Sequence, residues 1–259
     1  MNNIFSFRRF GMLMGKHTAE YYRTYLMSFG VLAGLMAIIG GFIFYVSNGG
    51  VGPKFQFAIF VFPYLLSGLI FTSMVFADYG DRKRSVSVMT LPASNLEKYL
   101  VAWLYSFVIF QLMFLIAFYA IDYSLLVFYQ DQNKGKIELL NFFSFGYGFW
   151  RIFFAYAFLH SISFFGAVFF NKNHFIKTML AVFAIGFLFM LLNKPIANLV
   201  FGFEVVKAPP FSEAIIFENK LEYKVAVGKS AQIAVDYVLL AVILAMWTAA
   251  YFKLKEKEV

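Results

Sequence analysis

Few residues in this chain have the type and spacing to do chemistry, and most of those fail a simple test. His17, His160 and His174 are scattered, without the paired spacing that zinc ligation uses. Gly228-Lys-Ser230 matches the end of a phosphate-binding loop, yet the first glycine of that motif would fall at Tyr223. No cysteine is present, which excludes disulfides, thiolate metal sites and a cysteine nucleophile. What remains is a set of ionisable groups inside or beside apolar runs, Asp122, Arg151, His160 and Asp236. Burying such groups in hydrocarbon costs several kcal/mol on most scales, so they are candidates for function or for pairing. Arg151 can pair with Asp122 or with Asp236, and the plain alternative is a structural ion pair or an arginine reaching for headgroups. His160, beside Ser161 and Ser163, is a candidate lining residue of a polar path.

One further segment, between two apolar runs, is mainly polar. Asp81, Arg82, Lys83 and Arg84 precede Leu91-Pro-Ala-Ser-x-x-Glu-Lys98. Ser94 and Glu97 form a capping box, in which the hydroxyl accepts from the Glu97 amide and the carboxylate reaches back to the Ser94 amide. Pro92 sharpens the boundary, because it disfavours helical geometry at Leu91 and has no amide of its own. A helix is therefore expected to start at Ser94, with Lys98 facing water at headgroup level.

The elements that must position these groups follow from composition. Apolar residues make up 61% of the chain, aromatic residues 22% and charged residues 14%; the mean hydropathy is +0.72. These values describe an integral membrane protein. Spanning about 30 Å of hydrocarbon needs about 20 apolar helical residues. Six runs are read as spans, over 26–46, 55–77, 99–121, 145–170, 178–192 and 231–252. They are continuous rather than alternating, which favours helices over an outer-membrane barrel. The expected fold class is thus an all-α integral membrane protein of six transmembrane helices, a single polytopic domain over 1–259. An N-terminal interfacial amphipathic helix over 1–24 and a re-entrant outer segment over 193–230 complete it.

Orientation comes from the cations. The side holding the N-terminus, the 78–98 loop, 171–177 and the C-terminal tail carries thirteen Lys and Arg against six acids. Its net +7 leaves +1 for the other side, of the total +8. The positive-inside rule places both termini in the cytoplasm. The pI of 9.4 is then a topology signal, and nucleic acid is not an expected partner. Arg8, Arg9, Lys16, Glu20 and Arg23 interrupt the first two dozen residues, so a cleavable signal peptide is not expected. Residues 4–17 mix aromatic and Met side chains with cations, as a helix lying along the inner leaflet does.

The fifth run is short, about 22 Å at 1.5 Å per residue. Asn193-Lys-Pro195 interrupts it before 196–206 resumes, a pattern that suits a helix re-entering the outer leaflet. Residues 214–228 alternate in polarity around Glu218-Asn-Lys220 and are expected to form a small outer hairpin.

In layout, and in the Arg82-Lys-x-x-x-Ser87 and Leu91-Pro-Ala-Ser-x-x-Glu-Lys98 stretches, the chain resembles the permease subunit of bacterial type 2 ABC exporters. The topological likeness covers most of the chain, and the motif about two dozen residues. The resemblance implies that 78–98 is a coupling element seated in a groove of a separate cytosolic ATPase, which would hold ATP and Mg, with no cofactor in this chain. It also implies that the leader is the family's connecting helix, that 193–206 closes the outer end of the pathway, and that permease subunits pair as a homodimer or heterodimer in the bacterial inner membrane. The expected function is export of an amphiphilic or hydrophobic substrate, with no catalytic residue here. The alternatives are a non-transporting scaffold or sensor that recruits a soluble partner through its inner loop, and an intramembrane enzyme in which Asp122, Arg151 and His160 converge.

Overall fold

The computed structural model describes residues 5–47, 52–76, 91–133, 139–141, 147–170, 173–202, 205–207, 214–218, 221–225 and 228–257. Six helices in it are long and apolar enough to cross a membrane, and the chain is a multi-pass membrane protein.

The first helix, α1, runs from Phe7 to Val46 without interruption. Forty residues reach about 60 Å, twice the thickness of the hydrocarbon. Over the described residues the expected leader and the first span are thus one continuous helix, with no break between them. The physical reason is that no proline precedes Pro53. Gly11 and Gly15 weaken a helix by about 1 kcal/mol each, which is too little to stop propagation from a span already formed.

Helix α2, Pro53–Met74, begins with the extended Gly52 and a proline in its first turn, where the missing amide costs nothing. Helix α3, Asn95–Trp103, starts at the Ser94 cap. It passes through a π-helical stretch, Leu104–Ile109, into α4, Phe110–Asn133. Helix α5 is Tyr147–Phe169 and α6 is His174–Phe201. The last helix, α7, is Lys229–Lys257.

Helix α6 differs from the expected short span and re-entrant piece. It continues through Pro195 and ends only at Gly202, whose positive φ of 71° stops it. Within lipid, one bond lost to proline costs less than unwinding several backbone groups that have no water to turn to. The expected hairpin does form: β2, Ala214–Glu218, pairs antiparallel with β3, Leu221–Val225, closing at Glu218 opposite Leu221. A third strand, β1, Val205–Lys207, flanks β2. The Asn198 side chain accepts from the Val205 amide at 2.8 Å and ties this sheet to the end of α6.

The core is aromatic. Phe60, Tyr64, Phe110, Phe114, Phe118 and Tyr156 bury one continuous cluster where α2, α4 and α5 meet. Glycine sets the closest approach between α5 and α6: a Cβ on Gly166 would lie 2.8 Å from the Thr178 methyl. Gly166→Val is accordingly expected to destabilise by about 1–3 kcal/mol through overpacking. Thermal unfolding in detergent should show the loss, and adding Thr178→Ala should return part of it.

Candidate functional site: a two-helix clasp on Glu97

The Ser94 backbone is extended, its hydroxyl accepts from the Glu97 amide at 3.2 Å, and Glu97 Oε2 accepts from the Ser94 amide at 2.9 Å. This is the expected capping box. The second carboxylate oxygen is engaged by the other end of the chain. Glu97 Oε1 accepts from the Ser6 amide at 2.7 Å, from Arg9 Nη2 at 3.0 Å and from Arg9 Nε at 3.2 Å. Ser6 is the N-cap residue of α1 as Ser94 is of α3. One carboxylate thus caps two helices, and both N-terminal dipoles favour its negative charge. Glu97 is 0% exposed, while Arg9 keeps about a third of its side chain in contact with solvent.

A second fastening lies just beyond α3, in the π-helical stretch. Tyr105 bonds the Thr18 hydroxyl and donates to the Met14 carbonyl at 3.3 Å, and the His17 ring packs against it, tilted by 57°, with centroids 4.5 Å apart. Between the two fastenings is a cavity of about 70 Å³, bounded by Leu13, Lys16, His17, Glu20, Leu91 and Lys98 among others. Lys98 is 6% exposed, against the expectation of a water-facing headgroup residue. Helix α1 covers it, a consequence of the leader docking on α3 instead of lying apart. Pro92 is exposed and Leu91 and Ser94 half-buried. Asp81, Arg82, Lys83 and Arg84 lie outside the described residues.

Deeper in the bundle a buried polar seam joins four elements. His160 on α5 sits between the Trp247 indole of α7, whose N–H donates to Nδ1 at 3.2 Å, and Ser106 Oγ, 2.9 Å from Nε2. An indole can only donate, so Nδ1 accepts and the imidazole proton is on Nε2. Ser106 then receives that proton's hydrogen bond and gives its own to the Ala102 carbonyl at 2.8 Å. This is the wrong tautomer for His160 to act as a base towards Ser106. The Tyr156 hydroxyl donates to the Ser106 carbonyl within the π-helical stretch at 2.8 Å, and Ser73 of α2 meets Ser163 at 2.9 Å. His160 therefore stands among satisfied partners and does not front a wet path.

The remaining ionisable candidates do not converge. Arg151 and Asp236 are exposed, and among the described residues Arg151 pairs with neither Asp236 nor Asp122. Asp122 is 4% exposed and lines the seam between α1 and α4 with Met36, Gly40 and Phe44. The expected Arg151 pair fails because Asp122 is turned towards α1. Among the described residues no group of three or more His, Asp or Glu is placed to hold a metal ion.

Ser6 and Arg9 of the clasp, Thr18 and Tyr105 of the second fastening, and Ser73, Ser106, Tyr156 and Trp247 of the buried seam were overlooked by sequence reasoning. Arg9 counted only as a topology charge. Its one local signal was a pair of arginines, Arg8 and Arg9, just after a serine. The chain matches no protein-family model, no curated protein and no solved structure.

Proposed function

We propose that the chain is the permease subunit of an ABC exporter, working with a separate cytosolic ATPase that binds ATP and Mg. The observation that carries this reading is the Glu97 clasp. The described end of the 78–98 segment, from Leu91, leads into a helix whose first turn is locked, through one buried carboxylate, to the start of α1. A push on the loop would move two membrane helices together, because the capped joint has no slack between them. Exposed Pro92, half-buried Leu91 and the cations Arg82, Lys83 and Arg84 would meet the ATPase. Glu97 and Lys98, both buried, would transmit and position.

In this reading both termini are cytoplasmic, the membrane is the bacterial inner membrane, and two permease subunits pair. The substrate is amphiphilic or hydrophobic, in keeping with helices whose exposed faces are aliphatic and aromatic. The sheet would stand on the outer face, beyond the end of α6.

Co-purification tests the assignment. Tagged wild type should retain an ATPase subunit from its native membranes, and Arg82→Ala/Lys83→Ala/Arg84→Ala with Pro92→Gly should lose it while unfolding at the wild-type temperature. Retention unaffected by those changes would overturn the coupling role. Recovery of a soluble protein without a nucleotide site would favour the scaffold alternative instead.

A further inference from the structure

Asp122 is the one carboxylate buried in the interior of a span among the described residues, and half of it is unused. One oxygen accepts from the Leu140 amide. The other, Oδ2, has no solvent contact and accepts no hydrogen bond among the described residues. It borders a small cavity of about 10 Å³ otherwise bounded by Met36, Gly40, Phe44, Phe118 and Leu125. Leaving a carboxylate oxygen desolvated and unbonded is costly, and the opening beside it has room for a group about the size of one water.

From this we infer that Asp122 receives the ammonium group of a cationic amphiphile that enters from the lipid side of the α1–α4 seam. A charged N–H donor supplies what Oδ2 lacks, and the bond is of the strong, charge-assisted kind. A bare inorganic cation fits poorly, since it would need several oxygen ligands and the remaining side chains lining the cavity are apolar. The apolar body of the ligand has a place to lie, because Ile39 and Phe42 of α1 and Tyr123 of α4 are exposed beside the seam. Naming this ligand as cargo rests on the export reading; the binding site does not.

Binding of dansylcadaverine, a fluorescent primary ammonium with an apolar body, to the purified full chain tests the inference without any ATPase. The N-acetylated dye, uncharged and otherwise alike, is the control. Wild type should bind the ammonium form about tenfold or more tightly than the acetylated form. Asp122→Asn should abolish that preference, Asp122→Glu should keep it, and Leu125→Trp should block binding by filling the cavity. Equal affinity of wild type for the two dyes, or a preference that survives Asp122→Asn, would overturn the inference. If Asp122→Asn does not fold, the wild-type preference and its loss in Leu125→Trp decide. Binding that persists in a chain that recruits no ATPase would defeat the export reading alone.

Discussion

Glu97→Ala is expected to lower the unfolding free energy by about 3 kcal/mol and to free the first turns of α1 from α3. Alanine removes the acceptor shared by the Ser6 amide, the Ser94 amide and the Arg9 guanidinium. Loss of one partner of a buried ion pair costs about 3–5 kcal/mol. Arg9 can rehydrate, since about a third of it already meets solvent, which places the expectation at the lower end. Glu97→Gln is not neutral either, because its amide NH2 would point at one or other set of donors. Arg9→Ala should cost less, about 1–2 kcal/mol, because the carboxylate keeps both backbone amides. The absence of native cysteine makes a direct readout simple. Spin labels at Phe7 and Pro92, both exposed, should give one narrow distance distribution in wild type and a broad one in Glu97→Ala. A narrow distribution in both would mean that the Tyr105 fastening alone holds the leader.

The parts of this fold legible in the sequence are those written in adjacent residues. A span needs only an apolar run of sufficient length, the capping box needs only Ser94 and Glu97 three positions apart, and the β2–β3 hairpin needs only alternation around Glu218. The clasp joins residues 88 positions apart, and nothing local distinguishes Arg9 from Arg8. Pro195 misleads for a different reason. Its propensity to break helices is measured in water, where freed backbone groups are solvated, and α6 lies where they are not. The failure of the Arg151 pair has a third cause. Depth along a span can be counted, but rotation about the axis is set by an amphipathic stripe, and helices that are apolar all round have none. Asp122 stands midway along α4 and Arg151 early in α5, yet the first is buried against α1 and the second is exposed.

The same blindness to azimuth hid the partners of His160, whose replacement carries the other large expected effect. His160→Ala should cost about 3–4 kcal/mol, combining a cavity in a ring cluster with an orphaned donor. The ring is fully buried and lies against Phe107 and Phe164, with centroids 5.0 and 5.3 Å away. The truncation would also leave the Trp247 indole N–H without its acceptor. Ser106 suffers less, because it keeps its bond to the Ala102 carbonyl. A double-mutant cycle separates these contributions. Trp247→Phe removes the donor while retaining a ring, so in the His160→Ala background it should cost roughly 1 kcal/mol less than in wild type. Reversible unfolding in mixed micelles followed by circular dichroism measures all four corners of the cycle. Strict additivity would mean that the indole bond contributes nothing and that His160 acts by packing alone. A coupling of the expected size would assign the histidine a structural task, tying α7 and the π-helical stretch together through one ring of α5. On the export reading proposed above, that arrangement would keep α3 from shearing off its neighbours as motion passes from the Glu97 joint.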